Sequence, residues 1–314
     1  MGSSPATVLV LRALGLGDAL TGVPALRGLR RAFPRARLVL AAPAPLGDWL
    51  VRQGLVDATV PADEGLGSVE GLVEAPDVAV NLHGRGPRSH RLLLGLAPGR
   101  LVAFACPEAG YLAGPSWPDA AHEVDRWCEL VRWVGGRCGR ADLRLDAWAR
   151  ERGRYAVLHP GASAPARSWP VERWGELARR LLVAGRAVVV TGGASERERC
   201  AAVVAQAAGA VDRSGSTGFD DLARLVAGAA LLVCGDTGVA HLATACRTPS
   251  VVLFGPSRPS EWGPAVDGPL HRVVWHPEVP SSANPHAAVL DPRLEAITVD
   301  EVLSAATGLL DVAA

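Results

Sequence analysis

The chain has 314 residues, 49% of them hydrophobic and 20% charged, a balance that suits compact folding and excludes a disordered chain. Its 32 basic residues, all of them arginine, are matched by 32 acidic ones, so no overall field favours nucleic acid or an anionic membrane. At this length two hydrophobic cores are expected rather than one.

Short apolar runs alternate with longer stretches of helical spacing from the start. Thr7 to Leu11 reads as a strand, followed by a glycine-bearing turn, Gly15-Leu16-Gly17-Asp18, and by "PALRGLRRAF", whose apolar residues recur at helical spacing. Arg37 to Ala41, Asp77 to Leu82 and Leu101 to Phe104 continue the series of strands. The rhythm restarts after residue 150, with strands expected at Tyr155 to His159, Ala187 to Thr191, Leu231 to Cys234 and Ser250 to Phe254. Strand and helix in alternation imply parallel sheets covered by helices. The expected organisation is therefore an α/β protein of two Rossmann-like domains, residues 1–150 and 151–314. The stretch from Pro256 to Pro292 is rich in Pro, Gly, Ser and His and is expected to be irregular, and "EAITVDEVLSAATGLL" reads as a closing helix.

The six cysteines stand singly, without the spacing of a zinc site or the density of a disulfide scaffold. No basic segment leads into an apolar core at the first residues, and no apolar stretch approaches the ~20 residues that span a bilayer. Cytoplasmic residence is the expectation.

The opening turn invites comparison with a dinucleotide fingerprint and fails it. Counting from Gly15, the third glycine of G-x-G-x-x-G is Leu20, and the second strand runs out in "LVLAAP" without the acidic residue that would hold a ribose. Asp18 is left with two readings, a helix cap or a bare carboxylate able to take a proton. The second half offers an anion site in "LLVCGDTGVAHLATA". A strand runs there into Gly235-Asp236-Thr237-Gly238 and a helix begins at Val239, so free backbone N–H groups and the helix dipole suit a phosphate. Thr237 adds a hydroxyl donor, Asp236 caps the helix or meets a sugar hydroxyl, and His241 lies one turn in. In "HPGASAPARSWP", Gly161, Ala162 and Ser163 allow close backbone approach, and Arg167 could neutralise a departing diphosphate. Glu196 or Glu198, after "VVVTGGAS", could accept from ribose hydroxyls. His83, Arg85 and Arg88 follow a first-half strand and could receive an anionic acceptor. G-K-[ST], G-x-S-x-G, H-E-x-x-H and Asp-x-Asp are all missing, which removes support for P-loop, triad and metal-dependent chemistry.

The order of these motifs resembles glycosyltransferase family 9, whose members include ADP-heptose:lipopolysaccharide heptosyltransferases. The stretches that carry it are "LRALGLGDALTGVPALRGLRRAFPRARL", "HPGASAPARSWPVERWGELARRL", "GDTGVAHLATACRTPSVVLFGPSRPSEWGP" and "LEAITVDEVLSA". The resemblance implies a GT-B fold, with parallel sheets facing a central cleft and a final helix that crosses back to the first domain. It implies inverting, metal-free transfer of a sugar, heptose in the first instance, from an ADP-sugar to an acceptor hydroxyl of a glycan, lipid-linked saccharide or natural product, without a cofactor and with peripheral membrane association only through the acceptor. Asp18 matches the catalytic base. Gly17, His83, Arg85 and Arg88 fall on the acceptor side. Arg167 stands where many relatives carry lysine and would balance the leaving diphosphate, with Ser163, Glu196, Glu198, Asp236, Thr237, Gly238 and His241 around the nucleotide sugar. The cysteine-rich stretch of many relatives is replaced by "WHPEVPSSANPHAAVLDPR". The rivals are an NAD(P)-dependent oxidoreductase and a catalytically silent nucleotide- or sugar-binding protein.

Overall fold

The computed structural model describes residues 6–67, 73, 75–145 and 152–312. The chain divides into two compact units, Met1–Leu143 and Arg144–Ala314; the joint expected near residue 150 lies outside the described residues. The first unit runs β1 (Thr7–Leu11), α1 (Leu16–Ala32), β2 (Arg37–Ala42), α2 (Ala44–Arg52), β3 (Ala58–Pro61), β4 (Val78–Asn81), α3 (Arg88–Gly95), β5 (Arg100–Val102) and α4 (Glu123–Trp133). Its sheet is wholly parallel in the order β3-β2-β1-β4-β5. Leu9 and Leu11 pack on one face with Val39, Ala79 and Leu93, while Val8 and Val10 are equally buried. Both faces are covered, which is why the strands read as unbroken apolar runs.

The second unit runs β6 (Tyr155–His159), α5 (Val171–Val183), β7 (Ala187–Val190), α6 (Arg197–Ala205), β8 (Val211–Asp212), α7 (Phe219–Ala227), β9 (Leu231–Gly235), α8 (Gly238–Ala245), β10 (Ser250–Leu253), α9 (Pro259–Trp262), β11 (His271–Val274), α10 (Pro292–Ala296) and α11 (Val299–Val312). Its sheet is also parallel, ordered β11-β10-β9-β6-β7-β8. The expected closing helix is α11, and its Val302, Ala306, Leu309 and Leu310 enter this unit's own core beside Trp169, Trp174 and Leu177.

Both units are doubly wound, as the sequence rhythm implies. The eight expected strands are present within two residues at each end. The irregular stretch expected between Pro256 and Pro292 needs correction, because it contains β11, paired in parallel with β10. In each sheet the chain winds outward from a central strand on one side and then on the other, so strand order reverses between β1 and β4 and again between β6 and β9. Ligands of such sheets lie outside the carboxyl ends of the strands at that reversal. The candidate residues belong to the loops that leave β1, β4, β6, β7 and β9.

Candidate active site

The turn after β1 brings two charged side chains to the first reversal point. Arg12 extends the β1 ladder, its N–H donating to Ala41 O at 3.0 Å. Its guanidinium is buried and donates through Nη2 to Thr21 Oγ1 at 2.9 Å and to Glu123 Oε1 at 3.2 Å. Nη1 donates to Leu82 O at the end of β4, and Nε to Asp18 O. The Trp127 ring centre is 4.9 Å from Arg12 Cζ. Asp18 is the third residue of α1, with its carboxylate 3.7 Å from Arg12 Nη2; the aspartate side chain is 33% exposed and the arginine 1%.

The capping alternative for Asp18 is corrected by this geometry. The N-cap of α1 is Gly15, which makes no side-chain cap, and Asp18 lies inside the first turn, where the helix dipole favours a carboxylate. Gly15 has an ordinary φ of −69°, so a tight turn does not explain it. Gly22 has a stricter reason: a β-carbon there would stand 2.8 Å from both Cδ and Nε of Arg12.

The loop after β4 gathers three further candidates. His83, Arg85 and Arg88, with Glu64 and Ser89, line a pocket of about 250 Å3. Asn81 organises the loop, its Oδ1 accepting from the His83 N–H at 3.0 Å and its Nδ2 donating to Ser89 Oγ at 3.0 Å. Burial, and secondarily the charge of Arg12, hold the His83 imidazole below its ordinary pKa. Arg85 Nη1 pairs with Asp119 Oδ1 at 3.1 Å, both side chains largely exposed. Gly17 is not part of this lining and sits beside Asp18 in α1.

In the second unit, Arg167 ends a short 3-10 turn, Pro165–Arg167, and bridges the second reversal point. Its Nη1 donates to Asp236 O at 3.3 Å and lies 3.9 Å from Asp236 Oδ2, and Nη2 donates to Ser163 Oγ. Here the arginine side chain is 20% exposed and the aspartate 9%. Thr237 is the N-cap of α8, its Oγ1 accepting from Val239 N at 3.3 Å. The capping role considered for Asp236 therefore belongs to Thr237, and Asp236 faces Arg167. Gly238 opens α8. His241 is buried one turn later, its ring 6.3 Å from that of Trp262.

Glu196 and Glu198 occupy different places. Glu196 follows β7, and its Oε2 accepts from Gly193 N at 2.6 Å. Its carboxylate lies so close over the Gly161 backbone that a β-carbon on Gly161 would be 2.1 Å from Oε1. Glu198 is exposed on α6. Beside Glu196 stands a residue that sequence reading passed over, His159 at the end of β6. Its Nδ1 is 3.0 Å from Thr191 Oγ1 and its Nε2 3.9 Å from Glu196 Oε2, and burial holds its pKa down. Arg12 and Glu123 were missed in the same way. The available signal was an arginine directly after an apolar strand.

The structure thus forms two clusters, Asp18 with Arg12 in one unit and Arg167, Ser163, Asp236 and Thr237 in the other. Among the described residues no group of three His, Cys, Asp or Glu is placed to hold a metal ion, and no helix is long and apolar enough to cross a membrane.

Known proteins are similar to this chain in sequence and fold. Residues 137–284 match the model of glycosyltransferase family 9 (heptosyltransferase). Lipopolysaccharide heptosyltransferase 1 of Escherichia coli (strain K12) is 31% identical over 109 residues, 35% of this chain and 34% of that protein. The match thus spans about a third of the relative's length. The solved structure of E. coli ADP-heptose lipopolysaccharide heptosyltransferase II aligns with a TM-score of 0.76 at 23% identity, covering 98% of this chain and 99% of that one. An E. coli heptosyltransferase solved with ADP gives 0.74 at 20% identity over 96% and 99%. At such identities the likeness speaks for the fold, which is the GT-B fold expected from the motifs. The resemblance read from the sequence is borne out: over residues 137–284 the chain is similar to glycosyltransferase family 9 (heptosyltransferase).

Proposed function

We propose that the protein is an inverting glycosyltransferase that moves a sugar, heptose in the first instance, from an ADP-linked donor to an acceptor hydroxyl without a metal ion. The observation that carries this proposal is the Arg167 cluster at the second reversal point. A guanidinium that keeps 20% of its side chain exposed, the Ser163 hydroxyl and the N-terminus of α8 stand together inside the segment that matches the family. A diphosphate suits that set, because each group offers N–H or O–H donors to anionic oxygen.

The chemistry follows from the charges. The acceptor oxygen attacks the anomeric carbon, the bond from that carbon to the β-phosphate oxygen breaks, and Asp18 takes the hydroxyl proton. Negative charge grows on the departing ADP, where Arg167 and the α8 amides offset it. Glu196, held over Gly161, would accept from ribose hydroxyls, and His241 and Asp236 would contact the donor sugar. His83, Arg85 and Arg88 would receive an anionic group of the acceptor, whether glycan, lipid-linked saccharide or natural product.

Support for a nicotinamide enzyme is correspondingly thin. Leu20 occupies the third glycine position, and β2 ends at Ala42 with Pro43 following. A silent binding protein would have no need of a partly exposed carboxylate over a buried arginine. The test is turnover of ADP-heptose in EDTA with candidate acceptors, reading ADP release and the anomeric configuration of the product by NMR. Release of ADP with inversion is expected. Activity only with an added divalent ion, or a product that retains configuration, would overturn the mechanism.

A further inference from the structure

Arg12 is a costly residue to place where it stands. A guanidinium with 1% exposure must have its N–H groups satisfied by protein, since a buried unpaired charge costs several kcal/mol or more. The fold supplies four acceptors from three places in the chain: Leu82 O beyond β4, Asp18 O and Thr21 Oγ1 on α1, and Glu123 Oε1 on α4, with Trp127 across its face. Glu123 is itself fastened. It accepts from Trp127 Nε1 at 2.6 Å and from Arg126 Nη1, so two arginines and one glutamate form a buried charge network whose remaining positive charge faces Asp18. Gly22 is kept bare to admit the Arg12 stem.

A purely structural tie would explain the bonds to Leu82, Thr21 and Glu123. It does not explain why the fork also grips the main chain of the one residue whose carboxylate turns outward. Nε holds Asp18 O while Nη2 lies 3.7 Å behind Oδ1, so the backbone and the head of Asp18 are referenced to a single planar, rigid group. The arginine fork is suited to this, whereas lysine offers a point charge on a flexible stem.

Building on the proposed transfer reaction, we infer that Arg12 is a positioning residue for the base, fixing the Asp18 carboxylate from its buried side so that its exposed side meets the acceptor hydroxyl. Arg12 touches no substrate in this arrangement and acts only through Asp18.

The test is a double-mutant cycle between Arg12→Lys and Asp18→Asn, with ADP affinity, acceptor KM and kcat read for each protein. Arg12→Lys is expected to lower kcat about ten- to a hundredfold, the scale of a misplaced catalytic group, with ADP affinity and acceptor KM within about twofold. In the Asp18→Asn background the same change should have no further effect on residual turnover. A loss that persists in that background, or that appears in KM, would overturn the inference. Should Arg12→Lys fail to fold, Thr21→Val carries the test, since it removes one acceptor of Nη2 and leaves Arg12 in place. A kcat loss of a few fold that vanishes beside Asp18→Asn supports the role, and an unchanged kcat contradicts it. Absence of sugar transfer by the unaltered protein would instead remove the parent proposal.

Discussion

In the first unit the arginine at the reversal point is 1% exposed and its aspartate 33%; in the second the arginine is 20% exposed and its aspartate 9%. The same two residue types, on the same kind of sheet, are turned opposite ways. What faces outward decides the chemistry. In the proposed reaction the more exposed carboxylate takes the proton, and the more exposed guanidinium receives the anion. Nearby glycines serve both arrangements, Gly22 admitting the Arg12 stem and Gly161 admitting the Glu196 carboxylate.

The largest expected effect comes from removing the outward carboxylate. Asp18→Asn keeps the side-chain shape but cannot take a proton at neutral pH, so transfer should fall about 10²- to 10⁴-fold, while ADP affinity by calorimetry stays at the unaltered value. Near-normal turnover would erase the distinction between the two clusters. Next is the outward guanidinium. Arg167→Ala removes a charge-assisted contact worth roughly 1.5 to 3 kcal/mol, so ADP should bind at least about tenfold more weakly, and unchanged affinity would take Arg167 out of the donor site.

Gly22→Ala probes the buried arginine without touching its charge. Overpacking should cost about 1 to 3 kcal/mol, read as a lowered denaturant midpoint, and turnover should drop because Arg12 must shift. Full stability and activity would show that the Arg12 stem is less tightly fitted than its contacts indicate. The smallest effect separates two glutamates. Glu196→Gln should weaken ADP binding by about 1 kcal/mol, the difference between charged and neutral hydrogen bonds, while Glu198→Gln on the open surface should stay within about 0.5 kcal/mol. Equal effects would contradict the assignment of Glu196.

Central strands and loop chemistry were legible in the sequence because covered parallel strands are apolar throughout, and β1, β4, β6, β9 and β10 each show such a run. The strands that escaped notice, β3, β8 and β11, are all at sheet edges. Ala58–Pro61 is at best half-buried, Val211–Asp212 is exposed, and only His271 of β11 is buried. Without burial on both faces no apolar run forms, and a Pro- and His-rich neighbourhood disguises the last of them. Asp18, Arg167 and the Asp236–Gly238 turn could be picked out because their local patterns are themselves the signal. Glu123 and His159 could not, and Arg12 gave only its place after an apolar strand, because what makes them important is a partner far away in sequence: Glu123 is 111 residues from Arg12, and Thr191 is 32 from His159.

The proposed reaction divides labour, with the nucleotide in the second unit and the base in the first. Amide hydrogen exchange with and without ADP in EDTA tests it most directly. Protection is predicted in peptides covering residues 159–167, 192–197 and 235–241, with none in those covering residues 12–22. Protection of the turn that carries Asp18, with residues 235–241 unaffected, would contradict it.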